Sequence, residues 1–306
     1  MEDIQRYRHL NEYLKNKFGE RTLKICIDGG FTCPNRDGTL GYGGCIYCSE
    51  KGSGELIDSS RNIGEQVTHY FTTYRAQRAN KFIAYFQNFT NTYDSLPNLK
   101  AKYDAALIDE RIVGLEIGTR PDCVNEDIAR LLKSYTSQYY VCVELGLQTS
   151  NDKIGEIIHR GYTSKQFTQA VYLLQQYGID VVAHIMVGLP GETKQDIEDT
   201  VNFINHLPIQ GVKIHSTYVV ENTKLADMYR NGEYTPLELE DYIETLIDIL
   251  THLRPDLVIH RISGDAPKDL LVAPYWNAHK MWILHGFEKR FKGRNLWQGK
   301  FYQTET

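Results

Sequence analysis

Six short apolar runs recur along the chain, at 24–29 (KICIDG), 81–87 (KFIAYFQ), 111–117 (RIVGLEI), 139–147 (YYVCVELGL), 180–189 (DVVAHIMVGL) and 212–220 (VKIHSTYVV). Each has the length and the β-branched or aromatic content of a strand. Amphipathic stretches separate them. Residues 62–78 read as a helix, Ile128, Leu131 and Leu132 mark a second around 125–134, and Phe167, Ala170, Val171, Leu174 and Tyr177 line a third. Ile197, Val201 and Ile204 line the helix before the sixth run. Apolar strands alternating with amphipathic helices predict an α/β fold with a parallel sheet under helices. Six such units rather than eight predict an open or partial (βα)6 barrel, with its chemistry at the C-terminal ends of the strands.

Beyond the sixth run the rhythm changes. Thr235-Pro236-Leu237-Glu238 is a helix start, with proline at the first helical position, and Leu239, Ile243, Leu246 and Leu250 continue it. A short strand at 257–262 and a terminal helix around 274–287 follow. The expected division is an N-terminal helical extension (1–23), the partial barrel (24–220) and a small C-terminal α/β extension (221–306). That extension ends in a basic aromatic tail, with Lys289, Arg290, Lys292, Arg294 and Lys300 interleaved with Phe287, Phe291, Trp297 and Phe301. Cations meet phosphates and rings stack on unpaired bases, so Lys289, Arg290, Lys292, Arg294 and Trp297 are candidate RNA contacts. The competing reading is an ordinary solvated face.

Composition narrows the classes. At 306 residues and 42% hydrophobic content the chain can bury a substantial core. Six cysteines do not make a secreted disulfide scaffold. The N-terminus lacks an apolar signal core and no run approaches about 18 apolar residues, so a soluble, cytoplasmic protein with no membrane partner is expected. A net charge of −5 argues against a globally basic nucleic-acid binder and confines any RNA site to a local patch.

Three cysteines supply the sharpest chemistry. Cys33, Cys45 and Cys48 lie in a glycine-rich loop after the first strand, with eleven residues between the first two and Tyr47 between the last two. A [4Fe–4S] cluster takes four cysteine thiolates when closed. Three leave one iron open for the amino and carboxylate groups of S-adenosylmethionine (SAM), the arrangement of a radical SAM enzyme. Cys-x-x-Cys is also a zinc hairpin, so the cysteines alone leave both metals open. Cys26 and Cys142 lie within strand runs and, with Cys123, are expected in the core. Cys26 is a lesser candidate ligand. His184, inside an apolar strand, is expected to be a hydrogen-bonded core histidine.

Several motifs occur in order, each at or just after a strand end: CPN…CIYC, GTRPD (118–122), ELGLQ (144–148), HRGYT (159–163), IMVGLPGET (185–193) and KIHSTYVVENTKL (213–225). Together with DMYRNGEYTPLELEDYIETLIDIL and HRISGDAP they resemble the radical SAM domain of the Elongator catalytic subunit and its bacterial relatives, from about residue 20 to about residue 267. The resemblance extends to the short bacterial YhcC- and MnmL-like members without an acetyltransferase domain.

That resemblance implies a partial (βα)6 radical SAM barrel with a [4Fe–4S] cluster and SAM as cofactors. It makes Cys33, Cys45 and Cys48 the cluster ligands and sets Tyr47 beside the adenine of SAM. Glu144 and Gln148 fall near SAM, Arg160 near its carboxylate, and Gly188 and Gly191 where backbone approaches the adenine. Arg120 and Asp122 would sit near the reacting centre, and Lys213 and His215 on the substrate side; Arg120–Asp122 also reads as a buried structural ion pair. Asn88, Thr90 and Asn91 replace the glycine-rich SAM motif common elsewhere in the superfamily. The implied reaction is radical functionalisation of C5 of the wobble uridine (U34) in a tRNA anticodon loop, giving an aminomethyl-type product. Its partners would be tRNA, a one-electron donor such as flavodoxin or ferredoxin, and a downstream tRNA methyltransferase. Two alternatives stand beside it: a radical SAM enzyme acting on a small metabolite, and a non-catalytic zinc-binding adaptor.

Overall fold

A computed structural model of the chain describes residues 5–52 and 57–303. The first helix, α1 (Leu10–Phe18), starts at a His9 cap and leads into β1 (Thr22–Ile27). Five further strand–helix steps follow. They run through α2 (Ile63–Phe71), β2 (Lys81–Phe86), α3 (Leu96–Ala106), β3 (Ile112–Thr119), α4 (Glu126–Tyr135) and β4 (Tyr140–Gln148). After them come α5 (Asp152–Ile157), α6 (Ser164–Gln176), β5 (Asp180–Val187), α7 (Lys194–Asn205) and β6 (Gly211–Ser216). The chain ends through β7 (Val219–Val220), α8 (Lys224–Arg230), α9 (Leu239–His252), β8 (Val258–Arg261), β9 (Leu271–Ala273) and α10 (Lys280–Gly293).

Seven strands form one parallel sheet in the order β1-β2-β3-β4-β5-β6-β8. It is the expected α/β partial barrel, lengthened by one strand. The run at 257–262, assigned to the C-terminal extension from sequence, supplies β8 and pairs with β6. The run at 212–220 divides instead of forming one strand. Its last two residues leave the sheet as β7 and pair antiparallel with β9. The helix expected over 62–78 stops at Phe71, where the Thr72 and Thr73 hydroxyls donate back to the His69 and Tyr70 carbonyls. At the C-terminus, a 3-10 turn at Tyr275–Ala278 precedes the terminal helix, because Trp276 turns inward to stack on Tyr242.

Strand alternation explains how the sheet is both covered and lined. Ile25, Ala84, Phe86, Leu115, Ile117, Val143, Leu145, Ala183, Val212 and Ile214 are buried beneath the helices, each worth about 1.5–3 kcal/mol of transfer free energy for the larger side chains. The intervening positions carry Lys24, Cys26, Tyr85, Glu144, His184, Lys213 and His215, which line the concave face. Residues 8 and 9 run beside the β8 edge, where the Ile259 amide donates to the Arg8 carbonyl at 2.8 Å, and α1 then packs on both β8 and β1. The N-terminal segment thus crosses between the two outermost strands. No helix among the described residues is long and apolar enough to cross a membrane.

Candidate active site

The concave face opens at the C-terminal strand ends into a cavity of about 630 Å³. Seven cationic side chains line it against three carboxylates, in a chain whose net charge is −5.

The cysteine loop closes one side. Residues after Cys33 turn back on it, the Arg36 and Asp37 amides donating to the Cys33 carbonyl. The Arg36 guanidinium donates to the carbonyls of Cys48, Ser49 and Glu50, tying the two arms of the loop together. Ile46, almost fully buried, exchanges backbone bonds with Ile158 and Leu225, which fixes the Cys45-x-x-Cys48 turn against the barrel wall. Cys33, Cys45, Tyr47 and Cys48 all face the cavity. Two sulfurs receive donors: Asn35 Nδ2 at 3.8 Å from Cys45 Sγ, and Arg120 Nη1 at 4.0 Å from Cys33 Sγ. Burial pushes the Cys45 thiol up, opposed by the Arg120 charge and a bond from Tyr47.

These residues fit an iron–sulfur cluster better than a single zinc ion. Thiolates around one tetrahedral zinc stand about 4 Å apart. Among the described residues, only Glu116, Glu144 and His260 bring three metal-donor atoms within 4.8 Å of one another; the three thiols are spread more widely. Around the same cavity, the Arg36 Nε, Tyr70 Oη, Thr90 Oγ1 and His215 Nε2 atoms are buried without a partner, a pattern that a bound polar ligand resolves.

The barrel floor holds a network the sequence reading did not assemble. Glu144, fully buried, accepts from Lys24 Nζ at 2.9 Å, Lys213 Nζ at 2.7 Å and the Tyr85 hydroxyl, and pairs with His184 Nε2 at 2.7 Å. Glu116 accepts from Lys24 at 2.6 Å, and His260 lies against both carboxylates. Burial raises Glu144, but Lys213, Lys24 and His184 outweigh it and hold the carboxyl well below its usual range. Burial pushes Glu116 up to about 8, only partly opposed by Lys24. Burial and neighbouring lysines lower His184 to about 4 and His260 to about 3, so both imidazoles are neutral at pH 7. Burial, with Arg261, likewise holds His215 well below its usual value. The sequence signal was present as polar residues at every second position inside otherwise apolar strands: Lys24, Glu116, His184 and His260.

The structure brings some candidates together and separates others. Arg120, Glu144, Gln148, Lys213 and His215 line the same cavity as the thiols and Tyr47. Arg120 grips Asp122 through two bonds of 3.0 and 2.8 Å while its Nη1 reaches the Arg160 carbonyl, so this pair is a structural tie lying beside Cys33. Gln148 accepts from the Tyr162 hydroxyl at 2.6 Å. Arg160 is not at the cavity. It is fully buried and spent on the carbonyls of Tyr162, Leu147 and Thr149 and on Asp152. Gly188 and Gly191 also stand off the cavity wall. Their φ values of +84° and +76° account for glycine there, and a Cβ at Gly188 would press on Leu237. Thr90 lines the cavity, whereas Asn91 is bonded to the Gly118 carbonyl. Cys26 is corrected: it faces the cavity rather than the core. Cys142 is fully buried, Cys123 is partly so, and His184 makes its hydrogen bond to Glu144 while lining the lumen.

The tail differs most from the RNA-contact reading. Arg290 and Arg294 are ion-paired with Glu240 and Glu244 across the α9–α10 contact. Phe287 and Phe291 are core residues. Lys289 and Lys292 are exposed, and Trp297 is half-exposed with Lys300 over its ring.

Comparison with known proteins gives family matches over most of the chain. The Radical SAM superfamily profile matches residues 33–204, and the Radical_SAM C-terminal domain matches 209–293. Protein YhcC of Escherichia coli strain K12 is 37% identical over 264 residues, covering 86% of this chain and 85% of that protein. The tRNA uridine(34) acetyltransferase of Dehalococcoides mccartyi is 33% identical over 185 residues, 57% of this chain but 39% of the relative. Among solved structures, the Elp3 of Methanocaldococcus infernus superposes with a TM-score of 0.67 over 90% of this chain and 64% of that one, at 19% identity, a likeness of fold. The thiol loop at the mouth of a parallel half-barrel is thus part of a shared architecture, and the chain belongs to the radical SAM superfamily, whose enzymes work with a [4Fe–4S] cluster and SAM.

Proposed function

We propose that this protein is a radical SAM enzyme that functionalises C5 of the wobble uridine (U34) in tRNA, giving an aminomethyl-type product. The observation that carries the reading is the cationic cavity of an acidic protein: excess positive charge is concentrated where the substrate must enter, which suits a phosphodiester-bearing ligand. Kinship with a tRNA uridine(34) acetyltransferase over 57% of the chain points to the same base. Cys33, Cys45 and Cys48 would hold the cluster, with Tyr47, Gln148 and the orphaned Thr90 hydroxyl placed around SAM. When bound there, the cluster would supply one-electron reducing chemistry to SAM.

The chain's own residues prepare the lumen for that chemistry. Arg120 and Asn35 direct N–H groups at two sulfurs, stabilising negative charge there. Glu144 holds Lys213 in place on the lumen side, while burial and the neighbouring lysines keep His184 and His260 neutral. A wobble base is already unpaired in its loop, so entry into a barrel mouth costs little unstacking. The test is a mass-spectrometric nucleoside profile of bulk tRNA from cells with and without the gene. Loss of a C5-substituted uridine with accumulation of its parent is expected. An unchanged profile in a strain without a redundant pathway overturns the tRNA reading and moves the substrate to a small metabolite.

A further inference from the structure

Three aromatic rings stand together on the outer surface where the 3-10 turn meets α10. His279 and Trp282 stack with centroids 4.2 Å apart and planes 14° from parallel. Tyr275 lies 4.6 Å from His279 and 6.1 Å from Trp282. Tyr275 is 71% exposed and Trp282 49% exposed. Large rings in solvent forgo about 25 cal/mol per Å² of burial, so a cluster of them on a soluble surface marks a contact site more often than an accident.

The cluster is rigidly held. Between its members, Trp276 is buried against Tyr242 and donates its indole N–H to the Leu237 carbonyl at 3.0 Å. Asn277 is buried and bonded to Ser216, the last residue of β6. The rings are therefore fixed relative to the strand that carries Lys213 and His215. They also adjoin the cavity: Lys280, next to His279, pairs with Asp265 at 2.9 Å, and Asp265 pairs in turn with Arg261, both of them cavity-lining residues.

We propose that Tyr275, His279 and Trp282 form a stacking platform for an unpaired base of the RNA whose target nucleotide enters the cavity. The proposal rests on the tRNA reading above and names where on this chain the RNA is gripped. Rigid rings cost little entropy to order, and each stacked base contributes affinity without regard to sequence. The neighbouring cationic cavity accounts for the phosphates. An exposed cluster of rings beside a positive mouth fits a single-stranded loop, whereas the tail arginines are engaged by Glu240 and Glu244.

The experiment measures binding of a synthetic anticodon stem-loop hairpin, and of a fully paired RNA duplex, to the anaerobically reconstituted protein by fluorescence anisotropy at several salt concentrations. Cluster absorbance and melting temperature check that Trp282→Ala and Tyr275→Ala are folded and loaded. The expected result is about a tenfold or greater loss of hairpin affinity in Trp282→Ala. Its salt dependence should not change, because a ring releases no counterions. Trp282→Phe should recover most of the loss, and duplex binding should be unaffected by any of the three. Hairpin binding by Trp282→Ala equal to that of the wild type overturns the platform and leaves the tRNA reading standing. A wild-type protein that ignores the hairpin overturns both. Weakened flavodoxin binding in Trp282→Ala with hairpin binding intact reassigns the patch to a protein partner and overturns the proposal.

Discussion

Replacing Glu144 with glutamine tests whether the barrel floor is held by charge. The substitution keeps volume and removes the one carboxylate shared by Lys24 and Lys213. Lys24 would retain Glu116, but Lys213 would retain only the Tyr85 hydroxyl at 2.8 Å, and one amide N–H would face an ammonium. Glu144 is fully buried, so little solvent is available to compensate. Breaking a buried pair by removing one partner costs about 3–5 kcal/mol, a large share of a total stability of about 5–15 kcal/mol. For a domain of this size that corresponds to a fall of roughly 10 °C in melting temperature. The assay is thermal unfolding of the anaerobic protein by circular dichroism at neutral pH, alongside E144Q/K213M. Removing both partners of a buried pair is often close to neutral, so the double variant should melt above E144Q. The pH dependence has a definite sign. The folded Glu144 carboxyl lies well below its ordinary value, so its contribution is present above about pH 4.3 and is lost as pH falls through the depressed folded value. The gap between wild type and E144Q should be full at neutral pH and shrink in acid. An E144Q protein melting within about 2 °C of wild type, or a double variant less stable than E144Q, would refute a charge-bound floor.

Cys48→Ala should remove the brown cluster absorbance and SAM cleavage together while the far-ultraviolet circular dichroism of the barrel persists; continued release of 5′-deoxyadenosine would show that Cys48 is not a ligand. Arg290→Ala/Arg294→Ala breaks only solvent-exposed or half-buried pairs with Glu240 and Glu244, so unfolding should shift by no more than about 1 kcal/mol and hairpin affinity should stay within twofold. A tenfold loss of RNA affinity would restore the tail as the RNA site. Burial pushes Glu192 up to about 8 although the Gly188 and Leu189 amides donate to it. Its folded value is raised, so its contribution is fully present below the ordinary carboxylate range and is lost as pH rises toward 8. Glu192→Gln, which keeps an acceptor for those amides, should gain stability relative to wild type over that window and hold a constant advantage above it, as read from urea midpoints between pH 5 and 9.

Much of the architecture was legible because periodicity is local. Apolar runs at strand length and Ile, Leu and Phe at helical spacing reported the βα units directly, and the Cys33/Cys45/Cys48 loop reported its own chemistry through side-chain type. The strand at 258–261 was legible as a strand but not as a member of the main sheet. Nothing in VIHR specifies that its neighbour is β6 rather than another extension strand; that choice depends on the path of α9 across the barrel. The pairing of the tail was hidden for a related reason. Arg290 and Arg294 look free in sequence, and their partners Glu240 and Glu244 lie fifty residues away on another helix.

By itself, then, the sequence determined the element types, the parallel βα order and the three thiols, all set by side-chain chemistry and spacing within short windows. Tertiary structure alone decided that Lys24, Tyr85, Glu116, Glu144, His184, Lys213 and His260 converge on one floor, since they come from seven strands spread over some 240 residues. It also decided that Arg160 is consumed by backbone carbonyls and that Cys26 faces the lumen. The alternation of a strand says that two faces exist, but only closure of the sheet into a half-barrel makes one of them a shared interior. There, charges distant in sequence must neutralise each other, because water is scarce.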